Sequence, residues 1–350
     1  MFRIIFFLVL FFLCFSCNKK ENLKEFTLES FSETIQLKGA VVKTDKELFF
    51  PRDIVVDNNS AIILDDESGG KIIHVFDLST HQLKQSLLQK GKGPGEILGG
   101  WQLSLNEKTG TVCLLDVVKE SMFLLKYKQQ LNVIDTIAQK WKMPENVMCP
   151  LQGVCVNDSC FVVTGLLDTN RIALSFGKVK RTFYEIEEER VRGLSKTAAA
   201  FYYESRIGVS NNGEKVVLAG RQINDIVGFN KKGEILFSRK GPLNENPKYK
   251  SYKDYVFWDD ETTIYYDLIR CTDNFIYLLF NGNKKGSNKE FGGNTILVLD
   301  WKGKPQYSFK LDRHILAFDF DKKTNSLYAI SHISAKEYLI RYKLPNNLVL

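Results

Sequence analysis

Residues 54–88 read IVVDNNSAIILDDESGGKIIHVFDLSTHQLKQSLL. Four short runs rich in Ile, Val and Leu are separated by turns of Asn, Ser, Gly and Asp. Such runs of four to eight residues, bounded by turn formers, are the signature of strands joined as a meander. A helix over the same stretch is excluded, because no 3.6-residue apolar period survives punctuation every ten residues or so.

The same plan returns along the chain. Residues 101–141 give WQLSLNEKTG, TVCLLD, SMFLLKY and LNVIDTIAQKW. A third unit gives LQGVCVND, SCFVVTGL, RIALSF and RTFYEIE over 151–187. SRIGVSNNG, EKVVLAG, DIVGFNKKG and EILFSRK follow over 205–240. DLIRCTD, NFIYLLFNG, NTILVLDWKG and KPQYSFKLD follow over 267–312. The last unit has HILAFDFDKKTN, SLYAISH and EYLIRYKL, and then the sequence stops. A period of about 50 residues, with one longer gap, is the range of propeller blades. One such meander alone leaves its faces exposed, whereas radial neighbours bury them. The expectation is an all-β, six-bladed β-propeller of four-stranded antiparallel blades. The sixth unit is one strand short, and an N-terminal strand from KEFTL or ETIQL is expected to close it.

The N-terminus reads MFRIIFFLVLFFLCFSCNKKEN, with one arginine ahead of an apolar run from Ile4 to Phe15. That is the layout of an export signal, and it is shorter than the ~20 apolar residues of a comfortable membrane span. Leu13-Cys14-Phe15-Ser16-Cys17 resembles the looser lipoprotein signal of Bacteroidetes. The resemblance implies a lipoprotein signal segment over 1–17, with cleavage just ahead of Cys17 and diacylation of the Cys17 thiol, which becomes the first mature residue. An ordinary secretory signal or an uncleaved anchor is the other reading. The mature chain, 18–350, is then one propeller domain, with 18–30 as a tether. Lipid would hold it to the cell envelope, with the outer membrane expected and its periplasmic or surface face left open.

The net charge is +7 and lysines alternate with acids, as in Lys231-Lys232-Gly233-Glu234. A mixed surface of this kind gives no basic stripe for nucleic acid, and a monomer is expected. Cysteines stand at 14, 17, 113, 149, 155, 160 and 271. Processing would leave five, an odd number, so at least one thiol stays free or pairs between chains. Cys155 and Cys160 flank a turn and either pair across it or sit as small buried apolar residues, the second being expected. His74, His81, His314 and His332 lie near no CxxC pair, so zinc is not expected.

Several stretches carry a family resemblance: GKGPGE at 91–96, SRIGVSNNGEKVVL, FNKKGEILFSRKGPLNENPKY and ILVLDWKGKPQYSFKLD. Together they resemble the TolB-like six-bladed propellers of Bacteroidetes over essentially the whole mature chain. The resemblance implies fold and envelope location, and it transfers no catalytic residue.

GKGPGE superficially suggests a phosphate loop. A Walker loop needs GxxxxGK and a following helix. Here Gly91 is four residues before Gly95, Glu96 stands where lysine is required, and Pro94 has no N–H to offer. Gly91, Gly93, Pro94 and Gly95 are read instead as a structural corner between blades, with positive φ open to the glycines and Glu96 capping backbone N–H groups.

Function on such a fold is placed at the central channel or on the loops of one face. Arg52, Arg206 and Arg270 fall in or beside inner strands, and together they are a candidate clamp for carboxylate or phosphate. Pairing of each with a neighbouring acid, such as Glu204 or Asp267, is the plain structural alternative. Two insertions break the blade spacing, at 181–206 and 248–267. The second holds Tyr252, Tyr255 and Trp258, residues suited to a carbohydrate or protein surface, or else to a small core of its own. Asp254, Asp259, Asp260 and Glu261 offer oxygen ligands for Ca²⁺, at a spacing unlike an EF-hand. No cofactor or metal is expected. The reading is a lipid-anchored binding or scaffolding module without catalysis, its ligand a carbohydrate, peptide or protein of the envelope. The alternative is a metal-dependent hydrolase or lactonase using oxygen ligands such as Asp57, Asn211 and Asp273 at the ends of inner strands.

Overall fold

Ser60–Asp65 carries SAIILD, and all six of its residues are buried. A strand with one wet face alternates; a strand covered on both faces does not. Two different cores claim its alternate residues. Ala61 and Ile63 join one cluster with Phe318 and Leu327. Ile62 and Leu64 join another with Leu103, Val112 and Leu114. The period of 2 in side-chain direction therefore sends each strand's residues to the neighbour on either side.

A computed structural model describes residues 24–348 apart from 58, 67–69, 129–132, 144–146, 158, 167–169, 177–178, 186–187, 244, 332–333 and 347. Cys17 and the signal segment lie outside the described residues. Among the described residues, the strands form six sheets of four or five strands and one two-stranded hairpin. The first sheet is Pro51–Asp57, Ser60–Asp65, Lys71–Asp77 and Leu83–Gln89. The second is Gly100–Asn106, Thr111–Asp116, Ser121–Lys128 and Val133–Lys142. The third is Met148–Asn157, Cys160–Leu166, Asn170–Phe176 and Val179–Glu185. The fourth runs Ser205–Val209, Lys215–Gly220, Asp225–Asn230 and Ile235–Lys240, with Lys24–Glu25 added outside. The fifth runs Tyr266–Cys271, Phe275–Phe280, Gly293–Asp300 and Pro305–Ile315, with Thr34–Leu37 added outside. The sixth is Ala317–Asp321, Ser326–Ile330, Leu339–Lys343 and Gly39–Val41. The fold is an all-β propeller.

The inner strands touch in order around the channel, and Ala317–Asp321 lies against Pro51–Asp57. Each inner strand presents an unpaired edge, and side chains from the preceding sheet satisfy part of it. Asp319 accepts from the Val56 N–H at 2.8 Å and Asp53 from the Leu103 N–H at 2.8 Å. Gln102 accepts from the Gly153 N–H at 3.0 Å and Ser104 from the Cys155 N–H at 3.2 Å.

The N-terminal segment differs from expectation in detail. KEFTL and ETIQL do not join the sixth sheet. Lys24–Glu25 pairs parallel with Ile235–Lys240, and Thr34–Leu37 pairs parallel with Pro305–Ile315. Gly39–Val41 is the segment that pairs antiparallel with Leu339–Lys343. Residues 24–41 thus cross the outer edges of three consecutive sheets, and Phe26 and Phe31 are buried on the way.

Cys155 does not face Cys160. Register places Cys155 opposite Phe161, so Cys160, one residue earlier, points to the other side of the sheet. Cys155 forms a disulfide with Cys113 of the second sheet, inside the core between the two sheets. Cys160 is buried and free in the next core, where burial pushes its thiol up to about 12.

Candidate functional site

The inner strands all begin on one face, and there the channel opens into a cavity of about 360 Å³. Its wall is built from the same register in successive sheets: Arg52 and Asp53, Trp101 and Gln102, Gln152, Arg206, Asp267 and Leu268, and Leu316. Phe50, Phe291 and Gly292 complete it. Both phenylalanines are exposed at the rim.

The two arginines at this mouth are held differently. Arg206 is buried, with Nη1 donating to Glu204 at 3.0 Å and Nη2 to Asp267 at 3.4 Å. Asp267 also accepts from Arg221 Nε at 3.0 Å, from Asn281 at 2.9 Å and from the Gly292 N–H at 2.9 Å. It therefore fixes the loop that carries Phe291, and the Arg221 guanidinium stacks on that ring at 4.6 Å. Burial alone would lower the Arg221 pKa; Asp267 and Glu204 raise it instead. Arg52 lies over the Trp101 ring at 4.3 Å and, among the described residues, reaches one carboxylate, Asp66, at 3.4 Å. Lys90 already holds that carboxylate at 2.5 Å. Burial pulls the Arg52 pKa down, with Asp66 opposing.

Arg270 is not at this mouth. It lies lower in the channel and ties three sheets together. Its guanidinium donates to Asp53 at 2.5 Å, to the Ile54 carbonyl at 2.8 Å and to the Phe318 carbonyl at 3.1 Å. Burial pushes Asp319, 4.0 Å away, up to about 6, with Arg270 opposing. The three arginines thus do not form one clamp: two line the cavity and the third buckles the channel wall.

The lower mouth is closed by paired charges. Lys322 bridges to Glu107 at 2.6 Å across the channel, and Asn211 lies 3.4 Å from the same carboxylate. Asp273 accepts from the Asn212 N–H at 2.8 Å. Of Asp57, Asn211 and Asp273, only Asn211 lines the space there. Among the described residues, no three His, Cys, Asp or Glu side chains converge as a metal-binding set.

The two insertions fold on each other. Helix α1 (Lys196–Tyr202) is capped by Ser195, which accepts from the Ala198 N–H. Its Tyr202 ring meets Trp258 at 5.3 Å and Tyr249 at 5.3 Å on the hairpin Tyr249–Tyr252 and Tyr255–Trp258. Trp258 therefore belongs to a small core, while Tyr252, Tyr255 and Phe257 stand exposed on the other face. Asp259 accepts from the Glu261 N–H, and Asp260 lies 3.8 Å from Lys285.

GKGPGE is the corner on the cavity's face. Glu96 accepts from the Gly93 N–H at 2.7 Å, and Lys119 donates to the Gly93 and Glu96 carbonyls. Only Gly95 has a positive φ, at 76°. A Cβ on Gly91 or Gly93 would meet the Glu96 carboxyl and push it off its bond to the Gly93 N–H. Pro94 sits between them and Gly95.

Trp101, Gln102, Gln152, Phe50 and Phe291 were not singled out from the sequence. The available signal was register. Arg52, Trp101 and Arg206 are each the second residue of an inner strand, and Gln152 lies five residues before the end of its strand as Arg52 and Trp101 do of theirs, so superposing the units would have placed them together. Phe291 sits on a loop and carries no such signal.

The TolB-like 6-blade propeller-like family matches residues 30–323. The chain belongs to that family. Solved structures agree on the fold of this TolB-like chain. A putative exported protein from Bacteroides fragilis is 13% identical with TM-score 0.53, over 91% of this chain and 98% of that one. A DUF4221 family member from Bacteroides vulgatus is 8% identical with TM-score 0.53, over 88% and 95%. The β-propeller domain of Cps50 (Swd1) from Myceliophteria thermophila is 8% identical with TM-score 0.50, over 88% and 100%. No curated protein matches the sequence.

Proposed function

We propose that this TolB-like propeller is a non-catalytic binding module of the cell envelope, with its ligand in the cavity at the channel mouth. One observation carries the reading. Three aromatic side chains, Phe50, Trp101 and Phe291, and the side-chain amides of Gln102 and Gln152 line one space of about 360 Å³ beside Arg52. A mostly apolar cavity with a few polar groups that converge on it is the usual form of a ligand site. Its acids serve as structural partners: Asp53 holds Arg270, and Asp267 holds Arg206 and Arg221.

Six blades closed by Gly39–Val41 make the frame of this reading, supported by the contact of the sixth inner strand with the first. Export to an oxidising compartment is supported by the buried Cys113–Cys155 disulfide, since such bonds are rare in the cytosol. Lipid attachment at Cys17, an outer-membrane location and a monomeric state complete the proposal. A carbohydrate, peptide or protein end is the source of the ligand, and nucleic acid is not.

The test is retention of low-molecular-weight envelope material by the purified protein, with esters and lactones assayed in parallel with and without added divalent cations. Saturable retention that Trp101→Ala abolishes, without turnover, is the expected result. Cation-dependent turnover would replace this reading with the metal-dependent hydrolase.

A further inference from the structure

We infer that the channel-mouth cavity selects a monoanionic carboxylate carried on an apolar or aromatic body. The inference rests on the binding reading above and adds the chemical class of the ligand.

Charge is the first argument. The acids on the cavity wall are already engaged, Asp53 by Arg270 and Asp267 by Arg206 and Arg221. Asp66, just outside, is held by Lys90 at 2.5 Å, so Arg52 at 3.4 Å is the cation with the weakest internal claim on it. The Trp101 ring, 4.3 Å from the Arg52 Cζ, holds the guanidinium without consuming its N–H donors. A guanidinium with donors to spare matches a carboxylate in a two-pronged bond.

Unused amides are the second. Gln102 spends its carbonyl oxygen on the Gly153 N–H at 3.0 Å. Its amide NH₂ has no partner among the described residues, and neither has the Gln152 side chain. Both residues are buried, at 4% exposure each, and both line the cavity. Their free amide atoms are not among the fully sealed unpaired atoms, so they open to the cavity space rather than lying shut away from it. An NH₂ donor from Gln102 and either end of Gln152 therefore await a polar ligand group beside Arg52.

The wall sets the rest. Phe50, Trp101, Phe291, Leu268 and Leu316 offer apolar surface around this polar patch. With Asp53 and Asp267 paired to Arg270, Arg206 and Arg221, Arg52 is the one loosely held cation at the mouth, and it balances one negative charge rather than the two of a phosphate monoester. One negative charge with an apolar body satisfies both constraints.

The experiment uses residues 18–350 and a panel of probes: butyrate, hexanoate, phenylacetate and 3-phenylpropionate, each with its primary amide, plus phenyl phosphate. Binding is read by calorimetry and by tryptophan fluorescence, with Trp101→Phe identifying the signal from the cavity. At least one carboxylate is expected to bind 10-fold or more tighter than its amide and tighter than phenyl phosphate. Arg52→Gln should bring the carboxylate-to-amide ratio close to 1 while the amide still binds, which shows that the variant is folded. An amide that binds the wild-type protein as tightly as its acid, or a ratio that survives Arg52→Gln, overturns the inference and leaves the binding cavity standing. If no probe, charged or neutral, reaches the cavity, the binding reading itself falls.

Discussion

Arg270 and Arg52 are both channel guanidiniums, and the difference in their partners decides their roles. Arg270 is walled in by Asp53 and two backbone carbonyls. Removing one member of a buried pair leaves an uncompensated charge, which costs about 3–5 kcal/mol. Arg270→Gln is therefore expected to lower unfolding stability by an amount of this order in urea titration. Arg52→Gln, at a partly exposed and loosely paired side chain, should change stability by less than ~1 kcal/mol. Two buried titratable side chains bias stability in opposite directions. Burial holds His74 down to about 4, with Lys46 adding to it and Ser86 bonded to its Nδ1. A lowered histidine contributes stability above its unfolded pKa of 6.5 that is lost as pH falls toward 4. Asp319, raised to about 6, works the other way: its contribution is full below 3.8 and is lost as pH rises through 6. Between pH 4 and 6 the two slopes oppose each other. Asp319→Asn should therefore steepen the loss of stability on acidification in this range, and His74→Gln should flatten it. Urea midpoints at pH 4.5 and 6.5 check both signs.

The elements show which parts of the fold the sequence made legible. The strand runs were readable because alternate residues enter different inter-sheet cores, so short runs of Ile, Val and Leu recur between turns. The partner of the sixth sheet was not. ETIQL looks more like a strand than Gly39-Ala40-Val41, and strand character does not say which of several free edges a segment will take. Arg52 and Arg206 were found at the cavity because charge is conspicuous in an apolar run. Trp101 and Gln152 look like ordinary strand residues until six units are brought into register. Cys155 and Cys160 invited pairing by proximity, but the period of 2 sends them to opposite cores. The disulfide that does form staples the second sheet to the third across a sequence separation of 42 residues. Replacing Cys113 and Cys155 by alanine should cost about 2–4 kcal/mol. Dithiothreitol should reduce the wild-type midpoint toward the variant's and leave the variant's unchanged. On the hairpin, Trp258→Ala should cost about 3 kcal/mol, since it opens the small core shared with α1. Tyr255→Ser, on the exposed face, should stay within ~0.5 kcal/mol.

At the scale of the molecule, residues 24–41 span the fourth, fifth and sixth sheets, and the cavity lies where the inner strands of all six converge. The strap holds the rim from outside, and its anchors, Phe26 and Phe31, sit against each other at 5.7 Å within the core between the fourth and fifth sheets. Phe31→Ala should lower stability by about 3 kcal/mol without altering the cavity wall, so ligand affinity measured well below the unfolding midpoint should not change. The inner face is tied together by Asp267, Asp53 and Asp319, which bond across sheets, and in the proposed binding mode Arg52, the Gln102 NH₂ and Gln152 meet the ligand. The most direct test is a crystal structure of residues 18–350 with the tightest carboxylate of the panel. Density for the carboxylate against Arg52 and a side-chain amide, with its body between Trp101 and Phe291, is the predicted result. Density on the hairpin face of Tyr252 and Tyr255, or at the lower mouth beside Glu107, would contradict it.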